Sequence, residues 1–353
     1  MIGSLDRRQA LARIGMTGAA LVAAPLAAAE PTALPGGLGI VIHSYGIRQS
    51  KHPASHFDDP LAFFVYCRSL GARGVQTTLG ARPTAEAERL RSAAADAHMY
   101  VEGIVSLPRD RDDETRFERE LASAKDCGAS VVRSVMLSGR RYETFDSAEQ
   151  FAEFKKRSWE SLVRARPLVE KHGVRLALEN HKDWRVDELL DILRRIDCPL
   201  VGICLDTGNS MALLEDPHVV VEAYAPHTFT THFKDMAVRE TPDGFLLAEV
   251  PLGTGVLDLP RVVSLLRKQP HRPNLNLEMI TRDPLRVPCL EKKYWATFGD
   301  LPGQDLADML RLVRTRGSAA DLPTISGQPL EQQLAREDQN VHTSLQFAAE
   351  RLG

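Results

Sequence analysis

The sequence predicts an α/β protein, a (β/α)8 TIM barrel with a C-terminal helical extension. Three observations predict it. Eight short apolar runs alternate with amphipathic stretches of helical length. The runs are continuously apolar, as strands covered on both faces must be. Turn residues separate the two kinds of segment, and that alternation closes into a parallel barrel.

The strands are expected at residues 38–45, 74–78, 99–106, 130–137, 174–179, 201–206, 228–232 and 274–279. Asp58-Asp59-Pro60 is a helix start, with a capping carboxylate before a proline. Asp126-Cys127-Gly128 and Lys171-His172-Gly173 read as turns that end helices. Residues 151–171 repeat Phe154, Leu162, Val163 and Val169 at roughly helical spacing. Residues 186–195, started by Asp187, and 260–268 read the same way. Residues 243–255 look like an inserted loop. Past residue 288 the alternation stops. Residues 289–298 are aromatic and charged, 305–313 helical, 322–327 a loop and 330–352 a polar helix. The expected organisation is therefore a leader and linker over 1–33, a barrel over 34–288, and an extension over 289–353 that packs on the barrel.

The leader reads as a cleavable export signal. Asp6-Arg7-Arg8-Gln9-Ala10-Leu11 precedes a small-residue apolar run from Ile14 to Ala29, ending Ala27-Ala28-Ala29-Glu30. The paired arginines point to the twin-arginine type, although Ala10 stands where that signal usually has Phe. The run is shorter than the roughly 20 residues of a membrane span. The expected location is periplasmic, with no stable membrane span.

Composition narrows the partners. With 44 Lys and Arg against 47 Asp and Glu, the net charge is −3, and the basic surplus of a nucleic-acid binder is absent. Five cysteines, Cys67, Cys127, Cys198, Cys204 and Cys289, lack CxxC spacing. They read as buried small hydrophobes, with one bridge left open.

In a parallel barrel every strand ends at the same face. Four late strands end in metal-ligand types: Leu176-Ala177-Leu178-Glu179-Asn180-His181, Ile203-Cys204-Leu205-Asp206-Thr207-Gly208-Asn209, Thr230-Thr231-His232-Phe233-Lys234-Asp235 and Leu275-Asn276-Leu277-Glu278-Met279. Burying such carboxylates without a partner is strongly unfavourable, and one divalent ion shared by Glu179, Asp206, His232 and Glu278 removes the difficulty. Three carboxylates and one imidazole suit Mn²⁺ first, with Mg²⁺, Co²⁺ or Fe²⁺ as alternatives, better than a structural zinc.

These four segments together resemble the xylose isomerase-like barrel superfamily, which includes sugar epimerases, inosose dehydratases, hydroxypyruvate isomerases and, more distantly, endonuclease IV. The resemblance covers roughly residues 38–282. It implies that Glu179, Asp206, His232 and Glu278 bind one divalent cation and that Glu179 and Glu278 also move protons. A metal chelating a carbonyl and its neighbouring hydroxyl stabilises the enediolate formed on C–H deprotonation. Return of the proton to the other face is epimerisation, and loss of a β-oxygen is elimination.

Among supporting residues, Lys234 and His181 are candidates for catalysis, Lys234 alternatively packing as a charge partner for Asp235, and Asn209, His43, Asn180 and Arg133 are candidates for substrate contact, with Tyr45 beside them. Family epimerases often have His where Asn209 stands. Gly253-Thr254-Gly255 follows the seventh strand, where barrels often bind phosphate, but a plain turn is the preferred reading. The leading expectation is a metal-dependent isomerase or epimerase of an unphosphorylated sugar or keto-sugar. The runner-up is a lyase, dehydratase or hydratase of 3-keto-sugars or 3-keto-glycosides. An endonuclease IV-like enzyme needs further ligands and a basic groove, and a non-catalytic sugar-binding barrel has no use for all four ligands. The partner expected is a small sugar, with a homo-oligomer left open.

Overall fold

In the computed structural model, which describes residues 37–352 apart from 53 and 300, the apolar runs form β1 (Gly39–Val41), β2 (Gly74–Thr77), β3 (Tyr100–Ile104), β4 (Val131–Ser134), β5 (Arg175–Glu179), β6 (Val201–Asp206) and β7 (Thr228–Phe233). Then follow β8 (Asp235–Thr241), β9 (Gly244–Val250), β10 (Asn274–Leu277) and β11 (Leu285–Val287). Eight of these close a barrel in the order β1-β10-β7-β6-β5-β4-β3-β2, and every pairing in it is parallel. The leader assigned to residues 1–33 lies outside the described residues.

The helices are α1 (Gly46–Lys51), α2 (Pro60–Ser69), α3 (Thr84–Asp96), α4 (Glu114–Asp126), α5 (Arg141–Thr144), α6 (Ala148–His172), α7 (Val186–Ile196), α8 (Pro217–Tyr224), α9 (Leu259–Arg267), α10 (Gly303–Arg316) and α11 (Leu330–Arg351). Local chemistry sets their ends. Asp59 caps α2 by accepting from the amide of Leu61, with Pro60 in the first turn. Ser147 caps α6, and Gly173 ends it at φ 66°, a left-handed conformation that glycine adopts without strain. The inner face of α6 buries Phe151, Phe154, Leu162 and Val169. Val163 is 46% exposed, because one residue turns the side chain about 100° from Leu162.

Three expectations change. Residues 42–45 form a 3-10 turn, so the first strand is shorter than predicted. Asp187 lies inside α7, whose start is instead closed by the Glu188 carboxylate accepting from the Arg185 amide at 3.0 Å. The apparent loop over 243–255 is mostly the second arm of a β-hairpin: β8 and β9 pair antiparallel, and β11 adds to β9. The second arm, Gly244-Phe245-Leu246-Leu247-Ala248-Glu249-Val250, does not alternate apolar with polar, and Asp243-Gly244 at its start reads as a turn.

The C-terminal extension shares the barrel's core, since Val313, Val341 and Leu345 belong to the same apolar cluster as Leu38, Ile40 and Leu277. Helix α11 also sends Glu337 to the start of α1, where its carboxylate accepts from the amides of Ile47 at 2.7 Å and Arg48 at 3.0 Å. All five cysteines are buried and free. No helix among the described residues is long and apolar enough to cross a membrane.

Candidate metal centre

Strands β5 and β6 end on Glu179 and Asp206, β7 carries His232 one residue from its end, and Glu278 follows β10 directly. Parallel pairing puts Asp206 level with His232. The convergence expected of strand ends is realised: one donor atom from each of the four lies within 4.8 Å of all the others, and all four side chains are buried. Nδ1 of His232 is buried without a hydrogen-bond partner, 3.4 Å from Glu179 Oε2 and 3.3 Å from Glu278 Oε1. An unpartnered imidazole nitrogen between two carboxylates is the donor set of a divalent ion, so the residues fit the metal that the sequence implies.

The field around these residues is strong. Burial would raise the Glu179 carboxyl, but Arg133 and His232 outweigh it and hold it well below the usual range. Glu278 is likewise pressed upward by burial and held well below by His232 and Lys234. His232 feels burial as a downward push, yet Cys204 and the two glutamates raise its pKa well above normal. A cation of any kind is favoured at this point.

Each supporting residue now has a place. Arg133 forks onto Glu179, its Nε donating to Oε2 at 2.5 Å. Lys234 does not pair with Asp235. Its Nζ lies 2.6 Å from Glu278 Oε2, 2.9 Å from Asp206 Oδ2 and 3.7 Å from Glu249 Oε1. Asn209 donates to Glu179 Oε1 at 3.2 Å and accepts from Lys182 Nζ. His43 meets Glu278 Oε1 through Nδ1 at 2.7 Å, with a side chain 37% exposed at the mouth. His181 places Nδ1 3.2 Å from the Gly139 carbonyl. Burial, then Lys182, push its pKa down to about 3, so it stays neutral in ordinary conditions.

Two candidates turn out to be structural. The Asn180 amide is used at both ends on the backbone of Asp206, accepting from its N–H at 2.7 Å and donating to its carbonyl at 2.9 Å. It aligns a ligand instead of facing a substrate. Tyr45 packs edge-on against Tyr66 and Phe57 with ring centres 5.1 and 5.9 Å away, inside an aromatic cluster. The Gly253–Gly255 turn is closed by Asp235, whose Oδ2 accepts from the amides of Gly253 at 3.0 Å and Gly255 at 2.8 Å. A Cβ on Gly255 would fall 2.2 Å from that carboxylate. An anion already fills the cradle, so the preferred turn reading holds over phosphate binding.

Sequence reasoning missed Lys182, Glu249 and Arg282. Arg282 Nε donates to Glu249 Oε2 at 3.0 Å, and Glu249 arrives on the hairpin strand β9. Burial would raise Glu249, but Lys234 and Arg282 lower it to about 2. Lys182 is 2% exposed, and burial together with Lys234 lowers its pKa to about 8. The only signal was two cations close behind ligand motifs, Lys182 three residues after Glu179 and Arg282 four after Glu278, and spacing alone does not say which way they face.

A family model described as a xylose isomerase-like TIM barrel matches residues 64–316. The chain belongs to this family. Among curated proteins it is 32% identical over 196 residues to 3-oxo-isoapionate decarboxylase of Pectobacterium atrosepticum, across 54% of this chain and 65% of that enzyme. The match thus spans just under two thirds of the relative. The structure of D-psicose 3-epimerase in the presence of D-fructose superposes with TM-score 0.58 at 15% identity, covering 90% of this chain and 99% of that one. A xylose isomerase-like protein from Mycobacterium smegmatis in complex with magnesium superposes at 0.52 and 19% identity, covering 78% and 97%. At such identities the structural likeness carries the fold. The chain is a xylose isomerase-like barrel with a buried Glu, Asp and His cluster suited to a metal ion.

Proposed function

We propose that this barrel is a divalent-metal-dependent lyase that decarboxylates a sugar-derived 3-oxo acid. The observation that carries the reading is the charge balance of the pocket. Four cations, Arg133, Lys182, Lys234 and Arg282, face four carboxylates, Glu179, Asp206, Glu249 and Glu278. A divalent ion makes these eight groups two charges positive, a surplus that an ionised Glu102, set behind Gln76, reduces to one below about pH 7, where Asp183, raised by burial to about 7, is largely protonated. A neutral sugar gains little from such a surplus, whereas a carboxylate substrate is drawn in and neutralises it. The named activity of the 32% identical relative agrees with this choice.

Glu179, Asp206, His232 and Glu278 would hold the ion, which supplies charge stabilisation for the oxyanion that develops on the substrate. Lys182 and Arg282, close enough together that Arg282 helps to lower the Lys182 pKa, would take the carboxylate. The bond from that carboxylate to the hydroxyl-bearing carbon breaks, its electron pair moves to the neighbouring carbonyl, and CO2 leaves. The resulting enediolate then takes a proton on carbon. His43, hydrogen-bonded to Glu278 at the open mouth, passes that proton in from solvent to the enediolate carbon. Arg133 and Lys234 keep Glu179 and Glu278 ionised, which suits them to charge stabilisation more than to abstracting a C–H proton, where a base near neutrality works better.

Epimerisation through the same enediolate is the second reading. One observation favours it: two carboxylates from separate strands flank the same imidazole at 3.4 and 3.3 Å. The two part in D₂O. Mn²⁺-loaded enzyme is given neutral keto-sugars and 3-oxo sugar acids, and products are read by mass and NMR. Loss of CO2 with one deuterium gained is expected. Deuterium exchange at unchanged composition, on neutral sugars alone, overturns the lyase reading. We also propose twin-arginine export on the strength of Arg7 and Arg8; retention of export after both become Lys would refute it.

A further inference from the structure

We infer that Gln76 and Glu102 form a tautomer lock that presents Nδ1 of His232, bare, to the metal. The inference rests on the metal centre proposed above and adds two positioning residues to it. Glu102 sits in the barrel interior on β3, beside Gln76 on β2 in direct register, and is 1% exposed. Its Oε1 accepts from Asn274 Nδ2 at 2.8 Å. Its Oε2 accepts from Gln76 Nε2 at 3.0 Å, Asn276 Nδ2 at 3.0 Å and Thr230 Oγ1 at 2.6 Å. Thr230 itself accepts from Asn276 at 2.8 Å, so its own proton is free to point at Glu102. Burial pushes this carboxyl up and the four donors pull it back; with only donors facing it, a proton on either oxygen would find no acceptor.

The rest follows from what each group can donate. An ionised carboxylate only accepts, so the Gln76 amide must give it the NH2 end. The Gln76 carbonyl then faces His232, and Oε1 lies 2.7 Å from Nε2. A carbonyl oxygen also only accepts, which places the ring proton on Nε2. In the neutral imidazole Nδ1 is therefore a lone pair, and it is this atom that lies between Glu179 and Glu278 without a hydrogen-bond partner. An isolated carboxylate in the middle of a barrel core is a poor stabilising device against apolar packing. Its position makes sense as the group that orients Gln76, as partners of metal-bound histidines commonly do.

Gln76→Met removes the acceptor at similar volume, and Glu102→Gln keeps hydrogen bonding but lets the amide at 76 turn over. Mn²⁺ affinity by calorimetry is expected to fall about 10- to 100-fold in Gln76→Met, and less in Glu102→Gln, with the melting temperature of the metal-free protein little changed. Nitrogen-15 NMR of histidine-labelled wild-type protein loaded with Zn²⁺ should show Nε2 protonated and Nδ1 bound to the ion, a readout that needs no variant to fold. Zinc on Nε2, or Mn²⁺ affinity within about threefold of wild type in Gln76→Met while His232→Ala loses the ion, overturns the lock alone. Wild-type protein that takes up no Mn²⁺ overturns the metal centre and the lock with it.

Discussion

Glu278 answers to three cationic or imidazole neighbours at once: His43, His232 and Lys234 all lie within 3.3 Å of its oxygens. Replacing it by Gln keeps the shape and removes the charge that these neighbours are arranged around. Glu278→Gln is expected to abolish turnover and reduce bound metal by elemental analysis, with the fold intact by circular dichroism. Lys182 sets a pH limb. Its pKa, lowered by burial and by Lys234 to about 8, means that it is cationic below that pH and neutral above. For a carboxylate substrate, kcat/KM should fall as pH rises through about 8. Lys182→Arg, charged throughout, should remove the fall, and a fall that persists in that variant would assign it to another group.

At the scale of elements, the metal ligands depend on strand register, and their neighbours depend on the pieces added to the barrel. The β8–β9 hairpin brings Glu249 beneath Lys234 and Arg282. Helix α11 reaches across sequence to cap α1 through Glu337, an unusual donor–acceptor match because α1 lacks a capping side chain of its own. Helix starts leave amides unpaired unless something accepts from them. Glu337→Ala should cost about 1–3 kcal/mol, read as a lower denaturant midpoint, and Glu337→Gln, which keeps an acceptor oxygen, should recover much of it. The strands and helices themselves were legible from the alternation of apolar runs and turns. The hairpin and the α11 cap were not, because the second arm of the one lacks strand alternation and the other joins segments 290 residues apart.

For the whole molecule, the centre ties together β5, β6, β7 and β10, half the staves of the barrel. An ion that binds only the folded chain adds stability by mass action, about 2.7 kcal/mol at a hundredfold excess over its Kd. Treatment with EDTA should therefore lower the melting temperature and Mn²⁺ restore it. An unchanged midpoint in both directions, with metal content following the treatment, would mean that the ion does not brace the barrel.

Sequence by itself determined the barrel and the four residues able to share an ion, since parallel strands have one common end and the residue types at those ends are read directly. It also supplied Arg133, Lys234, Asn209 and His43 as neighbours of the site. Which of them touch which ligand was decided only by the tertiary structure. Lys234 chose Asp206 and Glu278 over adjacent Asp235, whose carboxylate was already taken by the amides of a turn. Gln76 and Glu102 came to matter solely because β2 and β3 face β7 across the interior. The physical reason is that local pattern records burial and periodicity, whereas the pairing of buried charges is settled by which strands oppose one another once the barrel has closed.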